Sequence, residues 1–123
     1  MSAMSKRKSI INILINRELS SIEFVRDYFQ LRFDDGPLLN VINDPELFLD
    51  GKVITKTSPD FNNLLIGCID QIVTKTFVEE DNAVEITFGH GLTIHISLKP
   101  GTYKYGPEAI YFSESTLGRW EVW

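Results

Sequence analysis

The chain has 123 residues, 43% of them hydrophobic with eight Phe, which suits one globular domain and leaves no room for two independent cores. Seventeen acidic residues against twelve basic ones give −5, and without Lys6, Arg7 and Lys8 the remainder carries seventeen against nine, a net −8. That balance excludes a nucleic-acid partner, which needs cations facing phosphates, and favours solubility or a basic protein partner.

Residues 1–8 read as a disordered leader. Ser9 caps a short helix with Ile10, Ile11, Leu14 and Ile15 on its apolar face. The sequence Lys6-Arg7-Lys8 before Ile10 imitates a signal peptide, but Asn12 and Asn16-Arg17-Glu18 interrupt the apolar stretch and no small-residue cleavage site follows. No segment approaches membrane-spanning length, so the expected setting is cytoplasmic, without a membrane partner. The single Cys68 allows no internal disulfide and fits a reducing compartment.

Ser21 to Val25 is β-rich, Arg26-Asp27 makes a turn, and Phe29, Leu31 and Phe33 alternate with polar residues as in a half-buried strand. The loop Asp34-Asp35-Gly36 leads to a strand with Leu39 and Val41 inward. Matching apolar faces places Phe33 opposite Pro37, Leu31 opposite Leu39 and Phe29 opposite Val41, with a left-handed bulge at Gly36. Ser58-Pro59-Asp60 announces a helix carrying Phe61, Leu64, Leu65, Cys68, Ile69 and Ile72 on one face, weakened by Gly67. A strand over Val73 to Val78, an acidic turn over Glu79 to Asn82 and a second hairpin follow. In that hairpin Phe88 faces Leu92, Ile86 faces Ile94 and Val84 faces Ile96, around Gly89-His90-Gly91. Trp120 to Trp123 form an edge strand whose last aromatic packs beneath the sheet.

The chain repeats itself. Residues 28–45 lie over 83–100 without a gap, Ile10-Ile11…Leu14-Ile15 answers Leu64-Leu65…Cys68-Ile69, and Phe24-Val25 answers Phe77-Val78. A fainter echo sets Pro45-Glu46-Leu47-Phe48 beside Pro107-Glu108-Ala109-Ile110 and Gly51-Lys52-Val53 beside Gly118-Arg119-Trp120. The expected fold is α+β: a single domain, 9–123, of two tandem helix-plus-antiparallel-β units (10–57 and 58–123). Together they form one curved antiparallel sheet with two helices on its apolar face.

No catalytic, cofactor or metal motif emerges. His95 points to the polar face with Glu85 as cross-strand partner, flanked by Thr87 and Thr93. Such a pair can serve as a general base or ligand site, but ordinary cross-strand decoration is the favoured reading. His90 is a turn residue between glycines. Gly106-Pro107-Glu108-Ala109 lacks the N–H and the Lys-Ser/Thr of a phosphate loop. Asp34, Asp35, Glu79, Glu80 and Asp81 sit on turns, either as solvated loop tips or as an anionic patch for a cationic partner, and Tyr103 and Tyr105 in a second-copy insertion are either interface anchors or a cover for the open end of the core.

The motif Gly106-Pro107-Glu108-Ala109, the closing Trp120-x-Val122-Trp123 and the hairpin ending in Gly36 resemble a group of small bacterial domains. Several of these look like immunity proteins of polymorphic-toxin and contact-dependent growth-inhibition systems. The resemblance implies a non-enzymatic cytoplasmic protein that occludes a cognate toxin domain, often a basic nuclease. It supplies no catalytic residues. In this reading those five carboxylates steer the encounter and the two tyrosines anchor it, with the chain a monomer or weak dimer. The alternative is a small-molecule-binding module or minor enzyme using the sheet face near His95 and Glu85.

Overall fold

The computed structural model describes residues 9–34, 36–114 and 118–123; the expected leader and Asp35 lie outside them. The strands are β1 (Leu19–Val25), β2 (Tyr28–Phe33), β3 (Leu38–Val41), β4 (Glu46–Leu49), β5 (Lys52–Ile54), β6 (Val73–Glu79), β7 (Ala83–Phe88), β8 (Thr93–Ser97), β9 (Ile110–Glu114) and β10 (Arg119–Val122). They form two antiparallel five-stranded sheets, β1-β2-β3-β9-β10 and β5-β4-β8-β7-β6.

This overturns the α+β expectation of one curved sheet bearing two helices. The two predicted helices shrink to a 3₁₀ turn, Ile10–Leu14, and one helical segment, α1 (Phe61–Ile66). Ser9 does cap the first, its Oγ accepting from Ile11 N. Ser58 instead accepts from Asp60 N in a turn before α1, and the helix stops at Gly67, where the residue of low helical propensity ends the run. What both regions keep is a buried apolar pair: Ile11 and Leu14 in the turn, Leu65 in α1 and Cys68 just past its end. Strand pairing, not helix packing, supplies the remaining order.

Both hairpins adopt the register that apolar matching requires. Phe29 pairs with Val41 and Leu31 with Leu39; Val84 pairs with Ile96 and Ile86 with Ile94. Phe33 N donates to Pro37 O and Phe88 N to Leu92 O, both at 2.9 Å, closing three-residue loops. Among the described residues of the first loop Asp34 is left-handed (φ 49°) and Gly36 is not, whereas the second uses Gly91 (φ 99°).

Duplication is visible bond by bond. Asn16 N donates to Val73 O and Asp70 N to Leu19 O, both at 2.8 Å; Leu19 N donates to Gln71 O and Val73 N to Arg17 O. Each pair exchanges roles under a shift of 54 residues, so the junction of the two sheets is pseudo-twofold. Asn16 and Asp70 both take positive φ, 73° and 75°, a conformation that short polar side chains tolerate. Both units also bulge in the same way just past Leu19 and Val73: Ser20 Oγ donates to Arg32 O and Thr74 Oγ1 to Thr87 O.

The pairing also corrects two alignments. Phe24 lies opposite Phe29 and Val78 opposite Val84, so Phe24 matches Val78 and not Phe77. The acidic turn is one residue longer than Arg26-Asp27 and shifts the repeat there. Leu47 lies opposite Ile94 and Phe112 opposite Leu39, so Leu47 matches Phe112 and the Pro45/Pro107 echo was three residues out. Gly51 and Gly118 do correspond, with φ 77° and 65°.

In both units the terminal hairpin leaves home. β4-β5 joins the second unit's β8, and β9-β10 joins the first unit's β3. Alternate residues of both sheets then meet in one core, with Leu31, Phe33, Leu39 and Phe112 from one side and Leu47, Ile86, Phe88 and Ile94 from the other. The crossovers, residues 42–45 and 98–109, touch: Ile42 N and Asn43 N both donate to Ala109 O at 2.8 and 3.0 Å. Asn43, 3% exposed, meets the need of a buried amide through Nδ2 to Ser97 O at 3.2 Å. Among the described residues no helix is long and apolar enough to cross a membrane.

Candidate functional site

Where the crossovers meet the second sheet, its outer face opens into a polar cleft of about 400 Å³. Alternation along β8 turns Ile94 and Ile96 into the core and leaves His95 and Ser97 on the cleft floor, beside Glu46 of β4. The walls come from irregular chain: residues 43–45, Thr55 to Thr57 after β5, and the loop carrying Lys99, Thr102 and Lys104.

His95 is fixed from two sides. Its Nδ1 lies 2.7 Å from Glu85 Oε2, across the β7-β8 ladder, and its ring stacks on Phe48 at 5.0 Å between centroids. A carboxylate on Nδ1 selects the tautomer that leaves Nε2 as the atom available to a ligand. The pair is partly exposed, so it contributes orientation more than stability, about 0.2–1 kcal/mol. Beside it Thr87 and Thr93 share a hydrogen bond of 2.8 Å.

The inserted loop is latched. Ser97 Oγ and Thr102 Oγ1 meet at 3.1 Å, and Thr102 Oγ1 donates to Lys99 O, which sets the turn. Further along, Lys104 Nζ reaches Asp44 Oδ2 at 3.1 Å, Tyr105 donates to the same oxygen at 3.4 Å, and Lys56 Nζ holds Oδ1 at 3.0 Å. Burial pushes the Asp44 carboxyl up, but the bonds and charges of Lys56 and Lys104 outweigh it and hold the group below the usual carboxylate range. Asp44 in turn raises Lys104.

The other half shows what this face looks like without that chemistry. The pseudo-equivalent hollow, about 470 Å³, is lined by Tyr28, Gln30, Asn40, Ile42, Glu108 and Tyr111. Gln30 stands for Glu85, Asn40 for His95 and Tyr111 for Glu46, so all three floor positions changed character between the copies.

Of the residues expected to meet a partner, the structure gathers only some. Asp34 is exposed and accepts from Glu18 N, beside the Glu18–Ile72 bridge. Glu79 to Asp81 lie at the far end of β6, seven residues and about 20 Å away. Asp35 is outside the described residues. Glu79 takes a hydrogen bond from Asn82 Nδ2, and Glu80 and Asp81 are exposed on the turn. Tyr103 packs against the core, where burial, aided by the Asp81 charge, raises its pKa; Tyr105 is exposed at its ring and tied to Asp44. Thus the Asp81 charge is felt at Tyr103, whereas Asp34 belongs to another end of the molecule. His90 is exposed in its turn. Cys68 is buried, with its thiol pushed up to about 12 by desolvation, so it is a packing residue.

Asp44, Lys56, Lys99 and Lys104 were not legible as a group, because 60 residues separate the first from the last. The signal present was the insertion itself, which singled out its tyrosines and passed over its lysines. The chain matches no family model, no curated protein and no solved structure.

Proposed function

We propose that this chain is a binding module that takes a small polar ligand in the cleft above His95. The observation that carries the reading is the Glu85–His95 pair, stacked on Phe48 and facing a cleft whose loop wall is latched through Asp44. A half-buried carboxylate that orients the imidazole, with several hydroxyl and ammonium groups converging on one preformed concave site, supplies the placed polar groups that give a small-molecule site its specificity. They also occur where the two copies differ, which separates this face from scaffold common to both. Screening small polar compounds by thermal shift on the whole chain tests it. Hits are expected to bind about tenfold or more weakly to His95→Ala, the loss of one well-placed hydrogen bond with its orientation, while His90→Ala leaves them unchanged. Hits indifferent to His95→Ala, or none at all, would contradict the reading.

A second reading keeps the implication of the immunity-protein resemblance: stoichiometric occlusion of a basic toxin domain. What favours it is the Asp81 charge acting on Tyr103, with Tyr105 exposed two residues on, in an acidic chain. Its affinity for such a domain is expected to fall with rising salt and to survive loss of any one carboxylate. Affinity and salt dependence both unchanged after neutralising Glu79, Glu80 and Asp81 together would exclude steering by that turn.

A further inference from the structure

Resting on the ligand-binding reading, we propose that the cleft recognises its ligand through an anionic group, carboxylate or phosphate, and that Asp44 is a built-in occupant of the same lysines. The described residues contain five lysines, at positions 52, 56, 75, 99 and 104, and three of them line this one cleft. Its opposing carboxylates are Asp44 and Glu46, with Glu85 behind His95, so three lysines face three carboxylates and the site is about neutral within a chain of −5. An acidic protein that concentrates its lysines at one concave site makes that site less negative than the rest of its surface, which favours anions there over elsewhere.

The geometry adds a mode of capture. Lys56 and Lys104 converge on Asp44 from opposite oxygens, at 3.0 and 3.1 Å, so the two ammonium groups are already spaced to bracket one carboxylate. Each ammonium spends one of three donors on Asp44. The remaining donors, the Lys99 ammonium and the hydroxyls of Thr57 and Ser97 are the complement of an oxyanion with several acceptor oxygens. Asp44 keeps the lysines in position when the cleft is empty. It also competes with whatever anion arrives.

Competition makes a directional prediction. Asp44→Asn keeps the side-chain shape and removes the charge, so an anion meets two lysines no longer neutralised by a neighbour. Binding is expected to tighten about five- to tenfold, the effect of one unit charge at contact range in a partly hydrated site. Lys99→Gln, which lies outside the Asp44 network, is expected to weaken binding about threefold or more in both backgrounds.

The experiment titrates the full chain, Asp44→Asn, Lys99→Gln, their double variant and His95→Ala with inorganic phosphate, pyrophosphate and citrate at constant ionic strength, with choline as cationic probe and glycerol as neutral probe. Tighter anion binding in Asp44→Asn together with weaker binding in Lys99→Gln supports the proposal. Anion affinity that is unchanged or reduced in a folded Asp44→Asn overturns it. If Asp44→Asn fails to fold, Lys99→Gln decides alone, and unaltered anion binding there overturns it. Binding of choline or glycerol in preference to anions, lost in His95→Ala, would remove the anionic class and leave the ligand-binding reading standing. Absence of binding by every probe in every variant would overturn both.

Discussion

Either half of the chain expressed alone, residues 9–57 or 58–123, is expected to be unfolded as a monomer, and mixing the two is expected to restore the native β signal. Each sheet takes three strands from one unit and two from the other, so neither half contains a complete sheet. A separated first half would hold β1 to β3 with an apolar face open to water, an unpaired β3 edge that normally meets β9, and a β4-β5 hairpin without β8. An isolated hairpin is at best marginal in water, and an open edge beside an apolar face invites association. The junction bonds between residues 16–19 and 70–73 would go too. Circular dichroism and amide-proton dispersion at micromolar concentration read the result. A half that folds cooperatively as a monomer would contradict the exchanged-hairpin architecture.

The second large effect is in the core. Phe33→Ala and Phe88→Ala are each expected to cost about 3–5 kcal/mol and to lower Tm by roughly 10–20 °C. Both rings are almost fully buried, at 0% and 1% exposure, and occupy equivalent positions where each hairpin closes its loop. Against a typical total stability of about 5–15 kcal/mol, either change consumes much of what a domain of this size holds. Because the positions correspond under the repeat, the two costs are expected to agree within about 1 kcal/mol. Phe24→Ala provides the contrast: its ring is 49% exposed, so a cost below about 1 kcal/mol is expected. Urea denaturation of the three variants measures all of this. A small cost at either buried Phe, or a wide gap between them, would contradict the shared core.

How far the residues foretold this depends on the range of the interaction. Alternation around a short loop is local, so Leu31 opposite Leu39 and Ile86 opposite Ile94 followed from facing apolar with apolar. Helix content failed because the periodic apolar pairs Ile11/Leu14 and Leu65/Cys68 suit one turn as well as several, and the pairs needed only one turn to reach the core. Exchange of the hairpins was invisible, since nothing in β4 or β9 encodes whether its partner is β3 or β8; both present alternating apolar residues of similar size. Faint echoes around Gly51 and Gly118 marked the right strands without saying where they go.

The candidate site divides the same way. Glu85 and His95 were placed together because one hairpin holds both. Phe48, Glu46 and Asp44 arrive from the other unit through the crossover, and Lys56 follows after β5. Recognising them required the sheet order. The acidic residues, conspicuous in the sequence, proved to be spread over turns about 20 Å apart.

A small ligand that enters the cleft above His95 leaves a footprint that nuclear magnetic resonance reads residue by residue. Backbone and imidazole resonances of the whole chain, followed while pyrophosphate or citrate is added, are expected to shift at residues 43–46, 55–57 and 95–104, with the His95 ring among the largest. The pseudo-equivalent hollow at Gln30, Asn40 and Tyr111 is expected to stay still. Shifts centred on that second hollow, or spread evenly over surface amides, would contradict the account.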